Sequence, residues 1–129
     1  MPKEHINPDS LFPSVPHAFS QVIATHGGKT IYISGQTAWD AEKRLVGGNS
    51  LVEQARQALR NVEAAGSLAD VVALRLYVVN YRPADASLLG TALREFFPGV
   101  QPPTSTWIGV SSLAVADFLI EIEAVAVVE

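Results

Sequence analysis

The chain has 129 residues, 48% of them hydrophobic, a formal net charge of -4 and no cysteine. This length predicts a single domain over residues 1–129, and the absence of cysteine excludes disulfides and thiol nucleophiles and fits a cytoplasmic protein. The acidic balance argues against a nucleic-acid partner, and no apolar run reaches the ~18 residues of a membrane span, so we expect a soluble protein without membrane contact.

The first part of the chain predicts an arm followed by two strands. Residues 1–16 contain four prolines and no apolar period, which indicates an irregular N-terminal arm. Strand-like stretches at residues 19–24 and 29–34 flank His26-Gly27-Gly28, which is a turn signal. Together these two stretches predict a β-hairpin.

A first helix is predicted between Ser50 and Gly66. Ser50 and Glu53 have the spacing of a capping box, in which each side chain reaches the backbone amide of the other residue. Gly66 supplies the stop. Apolar residues recur at helical spacing between these ends, at Leu51, Ala55, Ala58, Leu59 and Val62.

The second half of the chain predicts three strands and a second helix. Pro83 suits a first helical turn and Pro98-Gly99 ends the helix. Its apolar stripe is Leu88, Leu89, Ala92, Leu93 and Phe96. The strands are predicted at residues 71–79, 104–111 and 118–128.

The predicted order is strand, strand, helix, strand, helix, strand, strand, which indicates an α+β sheet with both helices on one face. The helices leave the other face uncovered. Its apolar members are Tyr77, Val79, Leu119, Val125 and Val127. Because a single domain has nothing left to shield them, we expect a closed homo-oligomer.

Two carboxylates, Glu121 and Glu123, lie on the uncovered face of the last predicted strand. An ionised carboxylate in an apolar setting is costly unless something pairs or hydrates it, so these glutamates should meet a cation, a polar pocket or a subunit interface. Arg75 is predicted on the same face and is able to pair with either one. A structural ion pair and a role in general acid-base catalysis both remain open.

Other motifs do not match known sites. Gly28-Lys29-Thr30 imitates the end of a phosphate-binding loop, but Ile23 stands where that loop requires a glycine. The three histidines are scattered, so no metal site is predicted. Ser34 lacks the Gly-x-Ser-x-Gly context of a hydrolase nucleophile.

Several stretches, read together in order and spacing, resemble the Rid family (reactive intermediate deaminases, also called YjgF). The resemblance covers the chain from about Phe19 to Val128. It rests on Phe19-Ser20-Gln21, Ile33-Ser34-Gly35-Gln36, Gln54-Ala55-Arg56-Gln57-Ala58-Leu59-Arg60-Asn61, Ala64-Ala65-Gly66 with Ala69-Asp70-Val71-Val72, Phe96-Phe97, and Ile120-Glu121-Ile122-Glu123-Ala124-Val125-Ala126-Val127.

The resemblance implies a chorismate-mutase-like fold, with a mixed β-sheet and two helices packed on one face. It implies a homotrimer whose sheets face one another, with three intersubunit pockets. It also implies a hydrolase that deaminates enamines and imines to a carbonyl compound and ammonia, without a cofactor.

The resemblance assigns residues to the pocket, with two departures from the family pattern. Glu121 matches the glutamate that positions the attacking water, and Ser34 and Gly35 match a Ser-Gly pair. Ser105 stands where the family has an arginine that clamps the substrate carboxylate, and Phe19 replaces a tyrosine. Serine cannot supply bidentate carboxylate recognition.

These departures predict a substrate other than the small 2-aminoacrylate type. Phe19 and Trp107 become the walls of the pocket, with Ser105 and Thr106 as polar contacts beside the catalytic Glu121. A larger or uncharged imine, or a flat ring, fits such a pocket. One alternative is a non-catalytic small-molecule binding trimer. An endoribonuclease is disfavoured by the acidic chain and the lack of a histidine pair.

Overall fold

The structure is a computed structural model that describes residues 3–99 and 101–129. Its strands are β1 (Lys3–Ile6), β2 (Val22–Thr25), β3 (Lys29–Gln36), β4 (Val71–Val79), β5 (Thr104–Val110) and β6 (Ile120–Val128). Its helices are α1 (Leu51–Ala65) and α2 (Asp85–Phe96), with 3-10 turns at Val15–His17 and Leu68–Asp70. The α+β class is confirmed.

The main sheet has four strands in the order β3-β6-β4-β5. β6 is antiparallel to both of its neighbours, whereas β4 and β5 are parallel and are connected through α2. α1 packs on β6 and β3 and against α2, so both helices cover one face of a mixed sheet, as predicted. Beneath them lie the most buried side chains of the two central strands, Leu74, Leu76, Val78, Ile120 and Ile122.

Helix α1 begins and ends where its capping signals predict. The Ser50 hydroxyl accepts a hydrogen bond from the Glu53 amide at 3.2 Å, and the Gly66 amide donates to the Val62 carbonyl at the other end. Only this half of the capping box forms among the described residues. The Glu53 carboxylate turns to Arg56, while the Ser50 amide donates to the carbonyl of Gly47.

The predicted irregular arm is wrong in part, and the predicted hairpin is wrong. Lys3–Ile6 forms β1, which pairs antiparallel with β2, so residues 1–16 are not irregular throughout. The second hairpin partner, β3, pairs instead with β6 and brings Ile33 into the core opposite Ala124. Burial of Ile33 explains why β3 joins the main sheet although the chain turns at Gly27.

A bulge in β4 changes one predicted face. The register of β4 against β6 shifts between Val71 and Ala73, which puts Val71 in the core at 2% exposure. Regular alternation along β4 would place Val72 on the helix side with Leu74 and Leu76, but Val72 is only half-buried. Leu88 of the predicted apolar stripe is also 41% exposed.

Among the described residues, neither helix combines the length and the apolar character that a membrane span requires.

Candidate active site

The face of the sheet that carries no helix is where Glu121 and Glu123 lie. Both glutamates and Val125 are half-buried, whereas Ile122 between the glutamates is fully buried on the other face. Tyr32 on the neighbouring strand is 81% exposed. We call this surface the open face and define it by Tyr32, Ser34, Gly35, Arg75, Tyr77, Thr106, Glu121, Glu123 and Val125.

Glu123 is engaged by two neighbours from β4. The Tyr77 hydroxyl donates a hydrogen bond to Glu123 Oε1 at 2.5 Å, and Arg75 Nη1 lies 3.6 Å from the same oxygen. The hydrogen bond to the carboxylate, with burial and the negative charge beside it, raises the pKa of Tyr77. Arg75 therefore pairs with Glu123, which settles which of the two glutamates it neutralises.

Glu121 differs from Glu123 because it forms no hydrogen bond or ion pair with any residue that the structure describes. Its carboxylate lies directly over Gly35. A methyl group added to Gly35 would stand 2.0 Å from Glu121 Oε2 and 2.6 Å from its carboxyl carbon. A side chain at this position would displace the Glu121 carboxylate, and Gly35 falls in the bulge where the register of β3 shifts between Ile33 and Gln36.

Three more of the predicted site residues line a cleft beside β5. Phe19, Ser105 and Trp107 border this cleft, which has a volume of about 680 Å³. Its other lining residues are Phe12, His17, Ala86, Ser87 and Arg94. Trp107 Nε1 donates a hydrogen bond to Ser105 Oγ at 2.9 Å, which fixes the indole against the strand.

The wall of this cleft opposite β5 is aromatic. Phe12 meets Phe19 and His17 edge to face, with 5.9 Å between ring centroids in each pair. Phe12 belongs to the predicted irregular arm of residues 1–16, His17 follows that arm, and Phe19 begins the strand predicted at residues 19–24. Of the three, only Phe19 was a predicted site residue. No apolar period in this part of the sequence predicts Phe12 or His17 as a wall of the cleft.

The cleft and Glu121 lie on opposite faces of the sheet within one protomer. Ser105 and Trp107 are in register with Leu74 and Leu76, whose side chains point to the helices. Glu121 is in register with Tyr77 on the open face. Because β4 lies between β6 and β5, the backbones of β6 and β5 are about 10 Å apart. Glu121 is not among the residues that line the cleft.

The seven predicted site residues thus form two groups in the single chain. Ser34, Gly35, Thr106 and Glu121 belong to the open face, and Phe19, Ser105 and Trp107 belong to the cleft. Within the described ranges, no group of three or more His, Cys, Asp or Glu side chains is placed to hold a metal ion.

Comparison with known proteins decides the family. The family model described as endoribonuclease L-PSP matches residues 11–128. The crystal structure of the conserved Rid family protein YyfB from Yersinia pestis superimposes with a TM-score of 0.93 and is 41% identical, covering 99% of this chain and 100% of that one. This chain belongs to the Rid (YjgF) family.

Two further relatives extend the comparison for this Rid protein. A protein of Dermatophagoides farinae named 2-iminobutanoate/2-iminopropanoate deaminase is 30% identical over 116 residues, which is 86% of each chain. The crystal structure of RidA from the Antarctic bacterium Psychrobacter is 29% identical, with a TM-score of 0.68 over 84% of this chain and 87% of that one. The chorismate-mutase-like Rid fold inferred from the sequence is confirmed.

Proposed function

We propose that this Rid protein hydrolyses a reactive imine or enamine to a carbonyl compound and ammonia, with Glu121 as the general acid and base. The observation that carries this proposal is the contrast on β6. Glu123 pairs with Arg75 and accepts a hydrogen bond from Tyr77, whereas the Glu121 carboxylate lies over the backbone of Gly35 without a partner among the described residues. Deamination also agrees with the name of the relative from Dermatophagoides farinae.

The chemistry needs one group that both accepts and donates a proton. Glu121 takes a proton from water as the water oxygen bonds to the imine carbon, and gives that proton to the nitrogen. It then takes the proton of the new hydroxyl group as the C=O bond forms, and the departing nitrogen receives it as the C–N bond breaks. An enamine enters the same sequence after protonation at carbon.

We also propose that the site is completed between protomers of a homotrimer. The open face exposes Tyr32 and half-exposes Val125, surfaces that a neighbouring sheet would bury. Glu121 and the cleft lie on opposite faces of one protomer, so a single molecule cannot present both groups to one small substrate. In the trimer, Glu121 with Ser34 and Gly35 would meet the cleft of the adjacent protomer.

Paired glutamine substitutions on β6 test the role of Glu121. We expect Glu121→Gln to lower kcat by about 100- to 10,000-fold, the range typical of a lost general acid-base group. Glu123→Gln keeps an acceptor for Tyr77 and should retain activity within a few-fold. The measurement is the enzyme-dependent rate of decay of imines generated in place by an amino-acid oxidase. Wild-type turnover in Glu121→Gln would refute the proposal.

A second function, a non-catalytic binding trimer, is favoured by one observation, the serine at position 105 where the family resemblance expects an arginine. The same assay separates the two functions, because a binding protein accelerates no imine decay yet retains a ligand in calorimetry. The family model also carries the description endoribonuclease. RNA that stays intact after incubation with the pure protein would dispose of that activity.

A further inference from the structure

The cleft beside β5 contains a permanent positive charge from helix α2. Arg94 lines the cleft together with Ser105, and none of the described lining residues is acidic. This contrasts with the chain as a whole, which has 13 acidic and 9 basic residues. The local field in the cleft is therefore set by an arginine and favours an anion.

No described residue neutralises Arg94. It forms no ion pair or hydrogen bond with any residue in the described part of the chain. The adjacent Glu95 is held by Arg56, with contacts of 2.6 Å and 2.9 Å between carboxylate oxygens and guanidinium nitrogens. The nearest carboxylate in sequence is thus already occupied, and the guanidinium of Arg94 is left with its five donors for a ligand.

The glycine one turn earlier in α2 makes room for this guanidinium. A methyl group added to the buried Gly90 would stand 3.1 Å from Arg94 Nη1 and 3.5 Å from Nη2. Glycine is the residue that helix interiors disfavour most after proline, so its place in the middle of α2 calls for a packing reason. The close approach of the Arg94 side chain provides that reason.

The remaining lining residues define what accompanies the negative charge. Phe12, Phe19 and Trp107 give the cleft a wide aromatic lining, and Ser105 adds a hydroxyl group whose oxygen already accepts from Trp107. That hydroxyl hydrogen remains able to donate to a ligand oxygen. A volume of about 680 Å³ exceeds what a three-carbon acid needs.

We infer that Arg94 binds the carboxylate of the substrate, and that the substrate class is a 2-imino acid with an aromatic or similarly bulky apolar side chain. In this arrangement the guanidinium of Arg94 on α2 binds the substrate carboxylate, which Ser105 on β5 cannot bind in a bidentate way. The inference rests on the proposed deamination for the reaction, but the anion site itself does not depend on it.

The kinetic test compares two imines that share a phenyl ring. 2-Imino-3-phenylpropanoate, made from phenylalanine by an amino-acid oxidase, carries the carboxylate, and the imine made from phenethylamine by an amine oxidase lacks it. We expect Arg94→Gln to lower kcat/KM for the acid about 10- to 100-fold and to leave the neutral imine within about two-fold. Arg94→Lys should recover part of the loss, because it restores charge without the fork.

Arg60→Gln on the exposed side of α1 is the matched control, since it removes an arginine outside the cleft and should change neither rate. Equal losses for the acid and the neutral imine in Arg94→Gln, or no loss for either, would overturn the inference. Arg94 is exposed and makes no bond to described residues, so the variant should fold normally, which circular dichroism checks.

Calorimetry with phenylacetate separates the inference from the proposed reaction. We expect the wild-type protein and Glu121→Gln to bind phenylacetate, and Arg94→Gln to bind it at least about ten-fold more weakly. If no imine is turned over but this pattern holds, the reaction is wrong and the anion site stands. If imines are turned over but Arg94→Gln binds phenylacetate as tightly as the wild type, the reaction stands and the anion site is wrong.

Discussion

The two faces of β6 show how one strand serves two purposes. Ile120 and Ile122 are 0% exposed beneath the helices, whereas Glu121 and Glu123, which alternate with them, lie on the open face. The covered face packs against the helices and belongs to the apolar core. The open face keeps charge and apolar surface that a single chain does not shield, so the core and the proposed catalytic group use alternate residues of the same strand.

The largest expected effect tests the covered face. Ile122→Ala should reduce the free energy of unfolding by about 2–5 kcal/mol, because it leaves a cavity under α1. Its partner variant, Val125→Ala on the open face, should cost about 1 kcal/mol or less. Urea denaturation at one fixed protein concentration measures both values. Similar losses in the two variants would erase the distinction between the faces.

A second comparison is made between two glycines. Gly35→Ala places a methyl group against the Glu121 carboxylate, so we expect the carboxylate to move and imine turnover to fall about 100-fold. Gly66→Ala is the control, because its methyl group would meet only Ile33 Cδ1 at 3.8 Å. Turnover assays and a urea titration of both variants separate lost positioning from lost stability. A fully active Gly35→Ala would show that the close approach has no catalytic meaning.

The exposed tyrosine of the open face tests assembly. Tyr32→Asp should cost about 1–3 kcal/mol for each interface that buries the new carboxylate, and shift the proposed trimer towards monomer. Leu88→Asp, at an exposed leucine of α2, should leave the association unchanged. Sedimentation velocity over a dilution series reports both results. If the Tyr32→Asp variant remains a trimer, the open face is not part of the subunit interface.

The smallest expected effect concerns the pH dependence of stability. The hydrogen bond to Glu123 raises the pKa of Tyr77 above its ordinary value of 10.0, so the folded state retains this proton more tightly than the unfolded state. The resulting stabilisation is complete below that value and is lost as pH rises through the raised pKa. Urea midpoints should therefore fall less steeply above about pH 10 in Tyr77→Phe than in the wild type. An unchanged slope would contradict this origin.

Local patterns predicted the parts of the fold that local forces determine. The ends of α1 followed from Ser50 and Gly66, and the extent of β4 followed from its apolar alternation. β1 was missed because it has only four residues and lies between prolines, which predict irregular structure. Its pairing partner, β2, is distant in sequence. Pairing between distant segments leaves little trace in either sequence.

The candidate site was only partly predictable for the same reason. Sequence alternation put both glutamates on one face. Only the register with β4 shows that Arg75 and Tyr77 contact Glu123, and that no described residue pairs with Glu121. The register of β5 with β4 also shows that Ser105 lies on the helix side of the sheet, beside Leu74. A charged residue such as Arg94 at the edge of an apolar stripe resembles any solvated helix position until the cleft beside it is seen.

The division of the seven site residues between two sheet faces has a practical consequence for redesign. Ala86, Ser87 and Arg94 reach the cleft from α2, and none of them takes part in the hydrogen-bond ladder of the sheet. A library confined to these three codons would vary pocket shape and polarity while Glu121 and Gly35 keep their setting. Altered selectivity would then be obtained without changing the residues proposed to activate water.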